Sequence, residues 1–267
     1  MKIFVCAKEV LDPDAVNNYA LAGRLEIGDD GKTLTQTTIP ALTNAYDEQA
    51  LEVALRLRDA GSECTIHVIS VGDDRVALLR HAASMGADEI TQITPSQPDP
   101  DAHTTAALLA AQIRAGGDAD LVLCGRQASD DDQGVVPGLL AEALGLPLVN
   151  VAKAVEAKDG AFRVTRVTPD GDEIVEVHGA ALVTLSNEVG DPRYPTAANK
   201  LKARRKKPEV VAAGDLGLSD AQLAGRVQVI RQFVPELHQD CELIEGDSPS
   251  AVADRLIEKL REDRTLS

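Results

Sequence analysis

Short apolar runs alternate with helix-patterned segments through the first half of this chain, and no other feature of the sequence restricts the fold as strongly. The runs "KIFVCA", "TIHVISVG" and "ADLVLCG" predict buried strands, because strands inside a parallel sheet are apolar on both faces. The segments "NAYDEQALEVALRLRDAG", "DRVALLRHAASMGADE" and "GVVPGLLAEALGLP" predict helices, and Asn44 is expected to cap the first of them. The alternation predicts an α/β fold with a doubly wound, mostly parallel sheet.

The pattern changes after residue 150. Residues 151–186 form a row of short strand-like pieces with turns at "KDG" and "PDGD", which predicts an antiparallel add-on beside the parallel core. A further hairpin is predicted around "GDDG" within residues 24–39. Residues from 208 to 245 are poorly periodic, and a final helix follows with Ser248 or Ser250 as its N-cap. We expect an α/β domain over residues 1–190 and a long C-terminal extension over residues 191–267.

Composition restricts the partners and the chemistry. The chain has 27 basic and 43 acidic residues and only 2% aromatic residues, which disfavours nucleic acid and anionic membranes. We see no leader segment and no apolar run of membrane-spanning length, so we expect a cytoplasmic chain without direct membrane insertion. The four Cys are widely spaced, and no catalytic or metal-binding constellation is evident, so no catalytic residue and no metal are assigned.

The stretch "DLVLCGRQASDDDQG" places three consecutive Asp directly after a predicted strand. Ligands of open parallel sheets bind beyond the carboxyl ends of the strands, and Gly72 and Gly125 would let a ligand approach the backbone closely there. The helix that begins near Gly134 directs N–H groups at the same crevice, which suits a phosphate. The Asp carboxylates could cap this helix, tie the loop down or bind ribose hydroxyls. Alternatively, the stretch is only a helix start with surplus surface charge.

Five segments, in order along the chain, resemble the β subunit of electron transfer flavoprotein. They are "VCAKEVLD", "NAYDEQALEVALRL", "VGDDRVALLRHAASMGADE", "DLVLCGRQASDDDQGVVPGLLAEALGLP" and "NEVGDPRYPTAANKLKARRKKPEV". The resemblance implies a heterodimeric electron carrier in which this chain supports an α subunit that carries FAD. It also implies an adenine nucleotide inside this chain, AMP in ordinary members and FAD in electron-bifurcating members. The chain itself would then be a scaffold rather than an enzyme.

The resemblance also implies two sets of functional residues. The nucleotide-binding set is Cys6, Asn44, Ala45, Tyr46, Asp47, Val71, Gly125, Arg126, Gln127, Ala128, Ser129, Asp130, Asp131, Asp132, Gln133, Gly134, Val135 and Val136. The set that docks on a donor dehydrogenase is Arg193, Tyr194, Pro195, Thr196, Ala197, Ala198 and Asn199. We expect the C-terminal helix to pack on the α subunit.

Three departures from the family pattern modify these expectations. Asp131 stands where bifurcating members tend to have Gly, and its side chain favours AMP over FAD. Val135 and Pro137 replace the usual Gln and Gly, and Ala197 replaces an anchoring Leu, which predicts altered phosphate contacts and an altered partner surface. An alternative from another class is a nucleotide-binding protein of the universal-stress type, which would share only the fold. Such a protein would need a Gly-rich phosphate loop, which this sequence lacks, and the alternative leaves the C-terminal extension unexplained.

Overall fold

The computed structural model of this chain describes residues 1–35, 38–234 and 241–265. In these ranges the strands are β1 (Lys2–Cys6), β2 (Glu9–Leu11), β3 (Ala41–Thr43), β4 (Thr65–Val71), β5 (Glu89–Thr94), β6 (Leu121–Gly125), β7 (Leu148–Lys158), β8 (Ala161–Thr168), β9 (Gly171–His178), β10 (Ala181–Leu185) and β11 (Glu209–Ala212). The α-helices are α1 (Pro13–Leu21), α2 (Ala45–Asp59), α3 (Val76–Met85), α4 (Ala102–Ala115), α5 (Val135–Leu144), α6 (Ala197–Ala203), α7 (Asp220–Leu223) and α8 (Pro249–Glu262).

The described strands build one large sheet and one small one. The large sheet has nine strands in the order β11-β5-β4-β1-β6-β10-β7-β8-β9. Every neighbouring pair from β11 to β7 is parallel, and only β7–β8 and β8–β9 are antiparallel. Strands β2 and β3 pair as a separate antiparallel ribbon. The predicted doubly wound, mostly parallel sheet with an antiparallel addition is confirmed.

Helices cover both faces of the sheet. On one face, α2 and α3 pack on Ile3, Val5 and other alternate strand residues in one apolar cluster. On the other face, α4 and α5 pack on Phe4 and Cys6 in a second cluster. Because successive residues of β1 point to opposite faces and both faces are covered, the strand had to be apolar throughout. The strand and helix predictions for this part of the chain are therefore confirmed.

The row of strands after residue 150 was predicted wrongly in one respect. Strand β10, "ALVTL", does not belong to the antiparallel add-on, because it inserts between β6 and β7 and is parallel to both. All five of its residues are buried, as parallel core strands require. Strand β7 connects the parallel part of the sheet to the antiparallel part, since it is parallel to β10 and antiparallel to β8.

Two other segments differ from the sequence expectations. Helix α1 was not predicted, although Asp12 accepts hydrogen bonds from its first turn and Pro13 occupies its first position, which are both helix-start signals. No strand was predicted in the poorly periodic residues 208–245, but β11 extends the sheet beside β5. Of the hairpin predicted within residues 24–39, the structure shows an antiparallel bridge between Ile27 and Leu34, and residues 36 and 37 lie outside the described ranges.

Internal contacts divide the chain into a unit of Met1–Gln232 and a unit of Phe233–Ser267. The division falls farther along the chain than residue 190, because α6 packs on α3 and β11 pairs with β5. The second unit contains α8, and Ser248 caps this helix by accepting a hydrogen bond from the N–H of Ala251. None of the helices in the described ranges combines the length and apolar composition needed to span a bilayer.

Candidate functional site

The candidate site lies where the order of the sheet reverses. From β1 the chain moves outward to β4 and β5, and it then returns across β1 to form β6 on the opposite side. The segments that follow β1 and β6 therefore lead to helices on different faces of the sheet and leave a crevice beyond the carboxyl ends of these strands. Such a switch point is the usual ligand site of open α/β sheets.

The loop between β6 and α5, residues 126–134, is closed by its own hydrogen bonds. The N–H of Ala128 donates to the carbonyl of Gln133 at 3.0 Å, and the N–H of Asp132 donates to the carbonyl of Ala128 at 3.0 Å. Asp132 adopts a φ of 55°, in the left-handed region, and its carboxylate accepts a hydrogen bond from Nε2 of Gln127 at 2.8 Å. The predicted loop is therefore a compact turn that is closed by hydrogen bonds between its own residues.

Asn44 holds this loop from the opposite side of the crevice. Its Nδ2 donates to the carbonyl of Gln127 at 2.9 Å, and its Oδ1 accepts from the N–H of Ser129 at 3.1 Å. The side chain is 98% removed from solvent and makes no cap hydrogen bond to α2, although Asn44 occupies the N-cap position. Asn44 is therefore the N-cap residue of α2, as predicted, but its side chain makes no cap hydrogen bond because both of its polar atoms bind the loop instead.

Asp47, one turn into α2, joins the two strand ends at the switch point. Its Oδ2 accepts from the N–H of Lys8, just beyond β1, and its Oδ1 accepts from the N–H of Gly125 at the end of β6, both at 2.8 Å. Burial raises the pKa of Asp47 to about 6, although these two hydrogen bonds lower it. The carboxylate is thus an internal tie whose charge state changes close to neutral pH.

The three consecutive Asp all brace the loop. The Nζ of Lys8 lies 2.8 Å from Oδ1 of Asp130 and 3.5 Å from Oδ2 of Asp131. Asp131 also accepts from the N–H of Gln133, and Asp132 accepts from Gln127. Of the roles considered for these acids, tying the loop down is the one these contacts support. Lys8 was missed as a candidate, and the acidic run itself was the signal that a cation would have to lie opposite it.

The glycines of the site serve the packing of the protein against itself. A Cβ on Gly125 would lie 2.4 Å from Oδ1 of Asp47 and 2.6 Å from Cβ of Tyr46, so the close approach expected for a ligand is made by α2. At Gly72, which has a φ of 144°, the guanidinium of Arg75 occupies the equivalent place. A side chain at either position would displace the contacts that shape the crevice.

The N-terminus of α5 is left uncapped by side chains. Gly134 is its N-cap residue, and no described side chain makes a cap hydrogen bond there. Val135 and Val136 contribute the first helical N–H groups, whereas Pro137 has none to offer. Backbone N–H groups and the helix dipole together form an environment suited to an anion.

The structure brings most residues of the predicted nucleotide-binding set together at the carboxyl ends of the strands. Cys6 ends β1, and its hydrogen bond with the thiol of Cys124, together with burial, raises the pKa of Cys124. Val71 ends β4, and its carbonyl accepts from Nε of Arg75, a residue that also pairs with Glu9. In the described ranges no group of His, Cys, Asp or Glu is arranged to hold a metal ion.

Tyr46 and Ala45 open α2 beside the loop. The guanidinium of Arg126 lies 5.7 Å from the centre of the Tyr46 ring, which adds a cation–π contact between α2 and the start of the loop. Ala45 is exposed. The residues predicted to bind a donor, 193–199, lie apart from the crevice, and Tyr194 is 93% exposed.

The fold and the crevice define a doubly wound α/β protein with a candidate ligand site at its switch point. A family model described as "Electron transfer flavoprotein domain" matches residues 33–216. The chain belongs to the electron transfer flavoprotein family, and the resemblance of its motifs to the β subunit is confirmed by the comparisons that follow.

Three relatives illustrate the match along the whole chain. The electron transfer flavoprotein subunit beta of Thermoanaerobacterium thermosaccharolyticum is 33% identical over 97% of this chain and 98% of its own length. The caffeyl-CoA reductase-Etf complex subunit CarD of Acetobacterium woodii is 32% identical over 100% of both chains. The acryloyl-CoA reductase electron transfer subunit gamma of Anaerotignum propionicum is 28% identical, also over 100% of both. The chain is therefore a β-type subunit of an electron-transferring flavoprotein complex.

Proposed function

We propose that this chain holds one AMP in the crevice between β1 and β6 and supports a FAD-carrying α subunit, which passes electrons from a donor dehydrogenase to an acceptor. The observation that carries the proposal is the clamp of Asn44 on the loop after β6. This clamp fixes the loop that leads into α5, whose N-terminus has no side-chain cap. A mononucleotide would bind its phosphate there through the N–H groups of Val135 and Val136.

The residues present fit such a ligand. A phosphate needs donors without nearby carboxylates, and the carboxylates of Asp130 and Asp132 are engaged by Lys8 and Gln127. Polar backbone groups of the loop remain for the ribose and the base. In this arrangement the protein supplies binding and orientation, and the redox chemistry belongs to the flavin of the partner subunit.

Asp131 favours AMP over FAD. Its carboxylate is fixed by the N–H of Gln133 at 3.1 Å and lies near Nζ of Lys8, so the side chain occupies one position in the loop. A Gly at this place would leave that volume open for the larger nucleotide. The volume and the negative charge of Asp131 both act against a dinucleotide that extends past the loop.

A second candidate function is that of an electron-bifurcating β subunit with FAD in place of AMP. The observation in its favour is that two full-length relatives are named as parts of caffeyl-CoA reductase and acryloyl-CoA reductase complexes. The two functions differ in the nucleotide that co-purifies with the complex. They therefore call for the same experiment.

The deciding experiment is extraction of the nucleotides from this chain co-purified with its partner subunit, followed by chromatography and an absorption spectrum. We expect one FAD and one AMP per complex. Two FAD would establish the bifurcating alternative.

A paired variant tests the location of the nucleotide. The double substitution Asp130→Ala and Asp132→Ala removes the braces of the loop, and we expect it to lower AMP content and thermal stability. Losing a ligand present at a hundred times its Kd removes about 2.7 kcal/mol of stabilisation. Asp118→Ala, at an exposed Asp remote from the crevice, is the matched control and should change neither. Unchanged AMP content in the double variant would place the nucleotide elsewhere.

A further inference from the structure

A buried carboxylate on α2 holds the start of the segment 193–199. Glu52 is 4% exposed, and its Oε2 accepts from the backbone N–H of Arg193 at 3.1 Å and from its Nε at 2.7 Å. Its Oε1 accepts from Nη2 of Arg193 at 3.2 Å and from Nε of Arg56 at 2.9 Å. The guanidinium of Arg193 therefore contacts both carboxylate oxygens, a geometry that fixes direction as well as distance.

Neighbouring side chains of α2 hold the residues just before Arg193. Nη1 of Arg56 donates to the carbonyl of Val189 at 2.9 Å, and Nε2 of Gln49 donates to the carbonyl of Gly190 at 3.5 Å. Val189 is itself buried in the apolar cluster beneath α2. Three successive turns of α2, at Gln49, Glu52 and Arg56, thus all contact the short segment between Val189 and Arg193.

Beyond this tie the chain is exposed. Tyr194 is 93% exposed, Ala197 begins α6 in an exposed position, and Leu201 on α6 is 59% exposed. The segment next meets the domain through α6, whose Ala203 is buried against α3. Residues 194–199 are therefore held at two ends, by the Glu52 carboxylate and by the packing of α6.

The same helix also holds the nucleotide loop. Asn44, just before α2, binds the loop after β6, and Asp47, in its first turn, binds the end of β6 at Gly125. Glu52 follows eight positions after Asn44, a distance of about 12 Å along the helix axis. An α-helix of this kind is stiff over such a span. The crevice and the exit of the segment are therefore positioned by one rigid element.

We propose that Glu52 is a positioning residue for docking of the donor, because its buried carboxylate sets the direction in which the segment beginning at Arg193 leaves α2. This inference rests on the proposed function, since it takes residues 193–199 as the surface that meets the donor. Glu52 touches neither donor nor cofactor. It acts through Arg193, which presents Tyr194 and α6 in one orientation.

If the ion pair between Glu52 and Arg193 only stabilised the fold, its removal would have a different pattern of effects. Its loss would destabilise the whole domain, including the nucleotide loop that the same helix holds. A positioning role predicts a local effect, in which the segment loses order and the donor binds less tightly while the nucleotide content is retained. Asp59 provides the contrast, since it contacts the same guanidinium at 2.8 Å but its side chain is 60% exposed.

The test uses the complete heterodimer with Glu52→Gln, Arg193→Gln, the double variant, Arg193→Lys and the control Asp59→Asn. Amide hydrogen exchange over residues 191–203 is the first readout. We expect exchange at least tenfold faster in Glu52→Gln and in Arg193→Gln, and no further acceleration in the double variant, because the two side chains act as one unit. Arg193→Lys should recover part of the protection, since Lys keeps the charge but makes a single contact. Asp59→Asn should change exchange less than twofold.

Electron transfer from a reduced acyl-CoA dehydrogenase is the second readout. The half-saturating donor concentration should rise at least tenfold in Glu52→Gln, with an unchanged rate at saturation. Unchanged hydrogen exchange or an unchanged half-saturating concentration would each overturn the positioning role. Faster exchange and a raised half-saturating concentration that are accompanied by loss of AMP would also overturn it, because the effect would then not be local. Nucleotide content separates this failure from that of the proposed function, because a native complex without AMP refutes the latter whatever Glu52 does.

Discussion

The buried carboxylate of Asp47 leads to a prediction about pH. It accepts hydrogen bonds from the backbone at both sides of the switch point, and its pKa of about 6 exceeds the value of 3.8 of an unhindered Asp because burial disfavours the charge. Asp47→Asn replaces the titratable carboxyl group with an amide. The amide oxygen can still accept one of the two backbone hydrogen bonds, but the amide NH₂ group faces the other backbone N–H and cannot accept from it. We expect this variant to be less stable than the native chain, and the difference to depend on pH.

The sign follows from proton uptake. Between pH 4 and 6 the folded chain holds a proton on Asp47 that the unfolded chain has released, so this group adds stability as the pH falls and adds almost none at pH 7. With pKa values of about 6 and 3.8, the added free energy of unfolding at pH 5 is about 1.4 kcal/mol. The variant lacks this term. Its destabilisation relative to the native chain should therefore be about 1.4 kcal/mol larger at pH 5 than at pH 7.

Thermal unfolding at the two pH values, without added nucleotide, measures this difference. For a unit of this size, about 1.4 kcal/mol corresponds to roughly 3–6 °C in Tm. Asp101→Asn is the control, because hydrogen bonds from the N–H groups of Thr104, Arg226 and Val227 outweigh burial and lower the pKa of Asp101 to about 2. That carboxylate loses its contribution only below pH 4, so its variant should differ from the native chain equally at pH 5 and 7. Parallel profiles for the native chain and Asp47→Asn would refute the reasoning.

Two further substitutions and one deletion test the loop, the docking segment and the C-terminal helix. Gly134→Ala should lower AMP retention at least tenfold, as measured by ultrafiltration, because the added Cβ would lie 2.6 Å from the backbone carbonyl of Arg126; retention at the native level would show that the loop tolerates the shift. Ala197→Leu should tighten docking to an acyl-CoA dehydrogenase about thirtyfold, since three more buried methylene equivalents contribute about 2 kcal/mol; an unchanged KM would mean that the anchor lies elsewhere. Deleting everything after Asp247 should weaken assembly with the α subunit in a titration, because α8 carries an apolar stripe of Val252, Leu256, Ile257 and Leu260, and full affinity would contradict the proposal.

The architecture was largely predictable because its signals are local. Continuous apolar runs identified β1, β4 and β6, and helical spacing with a terminal Gly identified α2 and α3. The place of β10 was not predictable in this way. Its apolar run reads the same whether it pairs with the preceding hairpin or returns to the parallel core, since both would bury it, and only the global order of the sheet decides.

The site residues chosen from the sequence stay a prediction, and the contacts that most of them make inside the fold were not foreseen. The resemblance selected Asn44 and the loop after β6, whereas the local rule for Asn before a helix predicted a cap. The loop residues that Asn44 binds lie more than 80 positions away in the sequence, and Arg193, which pairs with Glu52, lies 141 positions away. Contacts of such separation leave no periodic signal, so the identities of the residues that pair with Asp130 and Arg193, Lys8 and Glu52, could be found only in the folded chain.

The acidic run shows why composition alone misleads here. A chain with net charge −16 could carry three consecutive Asp as mere surface charge, and Asp before a helix would ordinarily cap it. Each carboxylate instead has a separate partner: the Nζ of Lys8, the N–H of Gln133 or the Nε2 of Gln127. Because the acids are turned to the loop, the N–H groups at the start of α5 have no side-chain carboxylate as a cap. A loop with strong intrinsic negative charge can therefore still offer an anion a set of free donors, which is the physical condition that an AMP phosphate requires.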